Sequence, residues 1–202
     1  MSILMELLDW GASAFVCMLI LRVYFQYTHV SFYHPLGDWI LKLTTPILQP
    51  LRKFIPHHWN WFGLDWTAIV IALAFYWLWH GLMFGIERGT FTGYFWSPIE
   101  WFASLPNALF GLIHALVSMV LWMILLHVII SWTSHLPIAW LEQAIRPWLL
   151  PLQRLLPTFQ GLDFSPWVLI IVLKILLHVL EDMMPVSHPR GLHAILALSP
   201  FQ

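Results

Sequence analysis

The sequence is poor in charged residues and has almost no cysteine. Only 9% of its 202 residues are Asp, Glu, Lys or Arg, whereas 60% are hydrophobic. Soluble domains carry about 25% charged residues, so this composition excludes a water-soluble globule and predicts a membrane protein. The single cysteine, Cys17, excludes an intrachain disulfide, a CxxC redox pair and a metal site built from several thiolates.

The N-terminus also lacks the features of a cleaved signal peptide. Its first apolar run starts with Glu6 and Asp9 instead of basic residues, and no small-residue cleavage site follows. We therefore expect this run to remain as a membrane anchor. A hydrocarbon core of about 30 Å requires about 20 helical residues, and on that basis the sequence predicts four crossings. They are residues 4–27, 66–84, 109–130 and 164–180.

Acidic residues are absent from the middle of all four runs. This argues against a proton-coupled transporter that uses a carboxylate within the membrane. The chain also has no HExxH, GxSxG or P-loop motif, and no nucleophile, base and orienting group that its segments would bring together. We therefore expect no enzymatic activity and no cofactor or metal. The net charge of −1 gives no reason to expect contact with nucleic acid.

The chain contains an internal duplication. A segment with three prolines that starts at Pro46 recurs 101 residues later at Pro147 with the same proline spacing. The match resumes at Gly-Leu-Asp65 and Gly-Leu-Asp163, each of which opens an apolar run. Such a repeat reports how the fold is assembled. The predicted organisation is a first copy at 1–84, a connection at 85–104, a second copy at 105–180 and a tail at 181–202.

Basic residues are concentrated in the loops within each copy, and such residues mark the cytoplasmic side of a membrane protein. Five lie there, whereas the opposite side carries only Arg88 and Arg190. This predicts a multi-pass protein of the bacterial inner membrane with both termini outside the cytoplasm. Because each copy holds two crossings, the two copies are expected to be parallel. The five residues are Lys42, Arg52, Lys53, Arg146 and Arg154.

Each proline-rich segment has the period of an amphipathic helix. Pro46 lacks a backbone N–H, so we expect it to begin a second short helix capped by Thr45, which Pro50 then weakens. The prediction is a proline-broken amphipathic helix along the inner interface, with a re-entrant hairpin as the alternative. Its expected apolar face is Leu36, Trp39, Ile40, Leu43, Ile47 and Leu51 in the first copy, and Trp140, Leu141, Ala144, Ile145, Trp148, Leu149 and Leu152 in the second.

Several further motifs surround the prolines of the two copies. They are Leu21-Arg22, Phe-Tyr-His34-Pro35 and Pro46-x-x-x-Pro50-Leu-Arg52-Lys53 in the first copy, and Ser131-Trp132, Pro147-x-x-x-Pro151-x-x-Arg154 and Gly-Leu-Asp163-Phe-Ser165-Pro166 in the second. Over residues 18–179 the chain thus resembles the YggT (YlmG) family of small membrane proteins of bacteria and plastids. The resemblance implies four crossings in two repeats. It also implies a role in osmotic stress tolerance or ion homeostasis in bacteria, and in cytochrome assembly or in nucleoid and division organisation in plastids.

The duplicated aspartates are the first candidate site. Asp65 and Asp163 each open a helix, where a carboxylate caps free N–H groups and faces the positive end of the helix dipole. The alternative is a cation or partner site on the cytoplasmic face. Ser165-Pro166 is expected to form a turn. Arg22, a charge deep in its helix, either snorkels to the interface or serves packing or contact with anionic lipid.

The histidines give a second candidate. His80 and His178 both lie 15 residues after their aspartates, so they are equivalent in the two copies. Two such imidazoles could ligate a haem iron from both sides, and the alternative is an interfacial role. Lys174, His178 and Glu181 follow one face of the last helix, which predicts an internal polar network there.

Taken together, these observations predict a non-catalytic membrane protein that acts as an assembly factor or scaffold for other membrane components. Its expected partners are the lipid bilayer and other membrane proteins, with a homo-oligomer left open. The first alternative is a small oligomeric protein that conducts or regulates ions, because four helices rarely enclose a pore alone. The second is a haem-handling assembly chaperone.

Overall fold

The computed structural model describes residues 3–53, 65–87, 105–133, 138–155 and 164–183. Within these ranges the chain is entirely helical and has no β-strand. Residues 54–64 and 88–104 lie outside the described ranges. The helices of the second copy occur in the same order as those of the first. The six helices are α1 (Ile3–Tyr27), α2 (Pro35–Arg52), α3 (Trp66–Glu87), α4 (Leu105–Thr133), α5 (Ala139–Leu155) and α6 (Ser165–Asp182).

Two helices are long and apolar enough to cross a membrane. They are α1, over Leu7–Tyr27, and α4, over Leu105–Thr133. The other two predicted crossings coincide with α3 and α6. Helix α3 has a shorter apolar stretch, Trp66–Trp79, and α6 carries Lys174, Glu181 and Asp182 within its 18 residues. Length and composition therefore support two of the four expected crossings directly.

The prolines do not break the amphipathic helices. Pro46 and Pro50 both lie inside α2, and Pro147 and Pro151 both lie inside α5. The prediction of two short helical pieces was therefore wrong. A proline removes one backbone hydrogen bond and crowds the preceding turn. Here that cost is offset by packing on both sides of Pro46, because Thr44 and Leu48 are both fully buried.

Helix α2 has three faces instead of two. One face packs into the protein and buries Gly37, Ile40, Thr44 and Leu48. A second is polar and exposed, with Lys42 Nζ 2.6 Å from Asp38 Oδ2. The third is apolar and exposed. It consists of Leu36, Trp39, Leu43 and Ile47. These are four of the six residues of the predicted apolar face, and because they are exposed, most of that face points away from the protein core.

Buried hydrophobic clusters join the two copies. Helix α1 packs against α2, α3 and α4, and α4 packs in turn against α5 and α6. The largest buried cluster joins α1 residues such as Phe25 to Ile124 of α4, Ile145 of α5 and Leu173 of α6. The Tyr24 hydroxyl also donates a hydrogen bond to the Ala144 carbonyl across 2.6 Å. Helix α1 is therefore in contact with both amphipathic helices.

Candidate functional site

Arg22 of α1 is buried where three helical segments meet. Its side chain is 7% exposed. Nη1 donates hydrogen bonds to the hydroxyls of Thr44, at 2.7 Å, and Thr45, at 3.3 Å. Its Nε lies 3.9 Å from Asp65 Oδ2. Burial of an arginine is tolerated only with hydrogen-bonding or charged partners, and these come from α2 and from the start of α3. Arg22 therefore packs inside the protein and does not extend to its surface.

The Thr44 hydroxyl is oriented by its own helix. Its Oγ1 donates to the Ile40 carbonyl one turn earlier, at 2.6 Å, so that its lone pairs are available to the guanidinium. Thr45, which the sequence assigned to a helix cap, instead accepts a hydrogen bond from Arg22. The Ile40 carbonyl and the Arg22 guanidinium both bond to the Thr44 hydroxyl. These two bonds explain why a polar side chain is tolerated at this fully buried position.

Asp65 precedes the first residue of α3 and is also buried. Its backbone N–H donates to Gln26 Oε1 at 3.0 Å, and its carbonyl accepts from the N–H of Ala68 at 2.9 Å. Asp65 thus occupies the start of the helix, as predicted, with its carboxylate near Arg22. The positive end of the helix dipole and the guanidinium both attract a carboxylate at this position. We call Arg22, Thr44, Thr45 and Asp65 the arginine cluster.

The second copy does not reproduce the arginine cluster. The residue two positions before Pro147 is Ile145, where the first copy has Thr44 two positions before Pro46, and both are fully buried. Ile145 offers no hydroxyl. Asp163 lies outside the described residues. The residue before α6 is Phe164, which makes no side-chain cap bond, and α6 starts with the buried Ser165 and Pro166.

The prolines and basic residues of the motifs whose side chains the structure describes are at the surface. Lys53, Pro151 and Arg154 are exposed, as are Pro50 and Pro147. The side chain of Arg52 lies outside the described part of the chain. The motifs therefore place basic groups outside the packed interior, where a headgroup or a partner protein could reach them.

A second polar cluster lies at the other end of the helices. The buried His114 of α4 has Nε2 3.2 Å from Glu181 Oε1. His178 Nδ1 lies 3.7 Å from Glu181 Oε2 and its side chain is 78% exposed. The sequence anticipated His178 beside Glu181 but not His114, because the contact joins residues that are 67 positions apart. In the same half of the bundle, the Trp79 Nε1–H donates to Asp9 Oδ1 at 2.8 Å.

The structure does not support every predicted partner in this region. Lys174 is exposed on α6, and none of the described residues forms an ion pair with it. The expected polar network therefore stops at His178. The side chain of His80 lies outside the described residues, so the pairing of His80 with His178 on a haem stays a prediction. The described residues contain no group of three or more His, Cys, Asp or Glu placed to hold a metal ion.

His34, part of the Phe-Tyr-His34-Pro35 motif, has a structural role. It precedes α2, and its Nδ1 accepts a hydrogen bond from the Gly37 N–H at 3.1 Å. Its ring stacks on Trp140 with centroids 5.1 Å apart, which brings the starts of α2 and α5 together. Burial lowers the pKa of the His34 imidazole. Gly37 is required nearby, since a Cβ there would lie 2.7 Å from the Phe32 Cα.

An apolar cavity of about 460 Å³ lies between the two copies. It is lined mainly by α1, α3 and α4, with Tyr24 and Trp148 at its polar edge. The Trp148 Nε1–H donates to the Tyr24 hydroxyl at 3.0 Å, so both polar groups are already bonded to one another. This cavity offers contact area for hydrocarbon but presents no reactive group.

These features define a membrane-type helical protein: its described residues form helices, two of them long and apolar enough to cross a membrane, and buried charged groups join one helix to the next. The chain belongs to the CCB3/YggT family, whose model matches residues 1–86 and 106–184. The resemblance seen in the sequence is thereby confirmed.

Similar proteins occur in several bacteria. The uncharacterized protein YggT of Escherichia coli (strain K12) is 31% identical over 179 residues, which cover 87% of this chain and 88% of that protein. An uncharacterized protein of Pseudomonas aeruginosa is 29% identical over 81% of each chain. One from Haemophilus influenzae is 28% identical over 83% of this chain and 85% of its own length. No solved structure matches the chain.

Proposed function

We propose that this protein is a non-catalytic scaffold or assembly factor of the bacterial inner membrane, with four crossings in two parallel repeats and both termini outside the cytoplasm. The family model supports the division into copies, because its two matched stretches, 1–86 and 106–184, have nearly the bounds of the duplicated sequence. A role in osmotic stress tolerance or ion homeostasis enters from the family resemblance alone.

This proposal rests mainly on one observation: the buried charged side chains link helices to each other. Arg22 and Asp65 are both buried and contact each other, and Arg22 also donates a hydrogen bond to Thr44. Through these contacts Arg22 joins α1 to α2 and to the start of α3. Charged groups in a catalytic or transport site must be able to reach a substrate or ion. Here they join helices, which is what a protein needs if its task is to present a rigid surface to other membrane proteins.

The exposed apolar face of α2 supports a position at the membrane interface. Trp39 is 65% exposed and Leu43 is 44% exposed, yet the exposed pair Asp38 and Lys42 is directly adjacent. An interfacial helix has this arrangement, because its apolar side chains enter the acyl boundary while its charged groups remain at the headgroups. We therefore place α2 along the cytoplasmic surface of the bilayer.

Topology is tested by reporter fusions after Gln202. We expect activity from a reporter that folds only outside the cytoplasm, such as a periplasmic phosphatase. Activity from a reporter that folds only in the cytoplasm would contradict the orientation and would move both proline motifs outside with it. A fusion after Lys53 should give the opposite pattern, and it controls for expression of the reporter.

The scaffold role is tested by purification from native membranes in mild detergent, with an absorption spectrum taken on the same sample. We expect a stoichiometric membrane-protein partner and no Soret band. A Soret band that disappears in His178→Ala would favour the haem alternative. A homo-oligomer without a partner, together with ion flux in reconstituted vesicles, would favour the ion-conducting alternative.

A further inference from the structure

Lys174 lies in the middle of an exposed apolar surface. Helix α6 runs Ser165–Asp182, so the Lys174 Cα is about 13 Å from either end at 1.5 Å per residue. Ile171 and Ile175 beside it are each 60% exposed, and no described residue forms a hydrogen bond or ion pair with the lysine. We call Trp167, Ile171, Lys174, Ile175 and His178 the Lys174 face.

This position is costly for a charge if α6 crosses the bilayer, as the proposed function requires. The four-carbon stem of a lysine does not cover the distance to the end of the helix, so snorkelling alone leaves the ammonium short of the headgroups. Charged residues within membrane helices normally face the bundle interior and pair with another group. Lys174 faces outward, so its partner must come from outside this chain or at least from outside its described residues.

The first copy shows what covers this face. Tyr76 of α3 is the sequence equivalent of Lys174, since each lies 11 residues after its aspartate. Tyr76 is only 4% exposed and packs with Ala108 and Ala115 of α4. The approach is close, because a Cβ on Gly111 would lie 2.6 Å from the Tyr76 Cε1. In the first copy, therefore, a neighbouring helix with small residues covers the equivalent face.

Helix α6 keeps only one of the two packing faces of α3. Its buried residues form a single stripe that includes Leu169, Leu173 and Leu177, and the helices that pack on it are α4 and α5. Their equivalents in α3 are Ile71, Phe75 and Trp79 by the same numbering, and this stripe faces α1, where Phe75 contacts Phe15 and Trp79 bonds to Asp9. The second face of α3, which holds Tyr76, corresponds to the uncovered Lys174 face.

We propose that the Lys174 face binds a transmembrane helix of another membrane protein, one that carries a carboxylate near the middle of the bilayer. Charge complementarity with Lys174 selects the carboxylate, and the packing of Tyr76 in the first copy indicates a helix. This inference rests on the proposed four-span arrangement. It adds to the scaffold role the location of the partner and the group that recognises it.

A second copy of this chain fits the surface less well. A two-fold axis along the membrane normal would place Lys174 opposite Lys174 at equal depth. The acidic residues in the membrane-length helices lie within a few turns of their predicted outer ends, as Asp9 and Glu181 do. Asp9 is also buried and accepts a hydrogen bond from Trp79. None is at the depth of Lys174.

The depth of this position is measured first, because it separates failure of the four-span arrangement from failure of the docking proposal. In a Cys17→Ser background, Lys174→Cys should resist both permeant and impermeant maleimides in intact membranes, because the thiolate is the reactive form and hydrocarbon keeps the thiol protonated. It should react once detergent exposes it to water. Labelling by the impermeant reagent would overturn the four-span arrangement and this inference together. Lys42→Cys, on the exposed polar face of α2, is the matched control for accessibility.

Recognition is then measured with a defined probe in vesicles of zwitterionic lipid. The probe is a polyleucine transmembrane peptide with one central Asp, compared with peptides that have Asn or Leu at that position. Energy transfer between labelled full-length protein and labelled peptide reports association. We expect the Asp peptide to bind about tenfold more tightly than the Leu peptide, and Lys174→Met to abolish that preference while Lys42→Met retains it. Equal binding of the Asp and Leu peptides to the wild type would overturn the proposal.

The native occupant is identified with a photocrosslinking amino acid at position 175 in intact cells. We expect a crosslink to a membrane protein whose transmembrane helix contains Asp or Glu, and we expect it to be lost in Lys174→Met and when that acidic residue is neutralised. The same crosslinker at Val70, an exposed position of α3, is the control. Crosslinks only to lipid or to a second copy, or a crosslink unaffected by Lys174→Met, would overturn the proposal.

Discussion

Helices α2 and α5 have the same proline spacing but are held to the bundle by different chemistry. At equivalent buried positions, α2 has Thr44 and α5 has Ile145. Thr44 binds the guanidinium of Arg22, whereas the buried face of α5 is apolar and includes Leu141 and Leu149. The comparison shows that one amphipathic pattern can be packed through a buried charge in one copy and through aliphatic side chains in the other.

Both helices are nevertheless attached to the same part of α1. Arg22 contacts α2, and two residues later Tyr24 donates to the backbone of α5 and accepts from Trp148. The two residues lie on one stretch of helix, so a movement of α1 would affect both amphipathic helices together. A buried hydrogen-bonded charge specifies its partners more narrowly than aliphatic packing does, and we therefore expect α2 to be the more sensitive of the two to substitution.

The largest expected effect is that of Asp65→Ala. The substitution leaves the buried Arg22 guanidinium without its carboxylate, so we expect the free energy of unfolding in detergent to fall by about 3–5 kcal/mol. Asp38→Ala is the matched control. It removes a carboxylate from an exposed pair, and the loss should be about 0–1 kcal/mol.

Asp65→Asn separates the ion pair from helix capping. Asparagine caps about as well as aspartate, so a residue that served only as a cap would tolerate it. We expect Asp65→Asn to lose most of what Asp65→Ala loses, because the charge is absent in both. Stability of the asparagine variant near that of the wild type would contradict a role for the Arg22 contact.

The next effect tests the difference between α2 and α5 directly. Thr44→Ile gives the first copy the residue of the second, removes the hydroxyl that accepts from Arg22, and should cost about 1–3 kcal/mol. The reciprocal change, Ile145→Thr, should cost less, since a helical threonine hydroxyl can bond to the carbonyl one turn earlier. Both are measured by denaturant unfolding in detergent. Equal losses would mean that the buried charge adds no specificity.

Two glycines, Gly111 in α4 and Gly11 in α1, compare a closely packed helix position with an open one. A Cβ at Gly111 would overlap the Tyr76 ring, whereas a Cβ at Gly11 would meet nothing within 4 Å. Gly111→Ala should therefore destabilise by about 1–3 kcal/mol through overpacking. Gly11→Ala should be neutral or stabilise by up to about 1 kcal/mol through helix propensity. Adding Tyr76→Leu should restore the stability that Gly111→Ala loses. If it does not, the close approach of α3 and α4 is not the cause of that loss.

The sequence predicted the helices well because hydropathy and length are local properties. Its apolar runs coincide with α1, α3, α4 and α6, and the resemblance to the YggT family is confirmed. The predicted break at Pro46 was wrong because burial of Leu48, a tertiary effect, outweighs the local cost of the proline. A proline signal alone contains no information about what packs against the helix.

The candidate sites were less predictable, because their partners are distant in the sequence. Arg22 and Asp65 were each identified as candidates, but nothing in the linear pattern joined them or added Thr44. His114 and Glu181 likewise meet across a gap of 67 positions. The charge of Lys174 was evident from the sequence, whereas its outward direction depends on which stripe of α6 packs against α4. The sequence therefore identified the candidate residues but did not predict which of them contact each other.

The smallest expected effect concerns pH and the contact between the starts of α2 and α5. Burial lowers the pKa of His34, and its Nδ1 is already an acceptor for Gly37, so protonation is disfavoured in the folded protein. Between its folded pKa and the ordinary value of about 6.5, the unfolded chain binds more protons. Stability should therefore be greatest above that value and decrease as the pH falls through it.

His34→Asn tests this assignment, because asparagine keeps an acceptor at the start of α2 but does not titrate. Unfolding measured from pH 8 to pH 5 should show a smaller loss of stability on acidification in the variant than in the wild type. His29→Asn is the control, since that residue is exposed and its φ of 55° is one that asparagine tolerates. If His29→Asn flattened the profile and His34→Asn did not, the stacked histidine would not be the origin of the pH dependence. The contact between α2 and α5 would then be independent of its protonation.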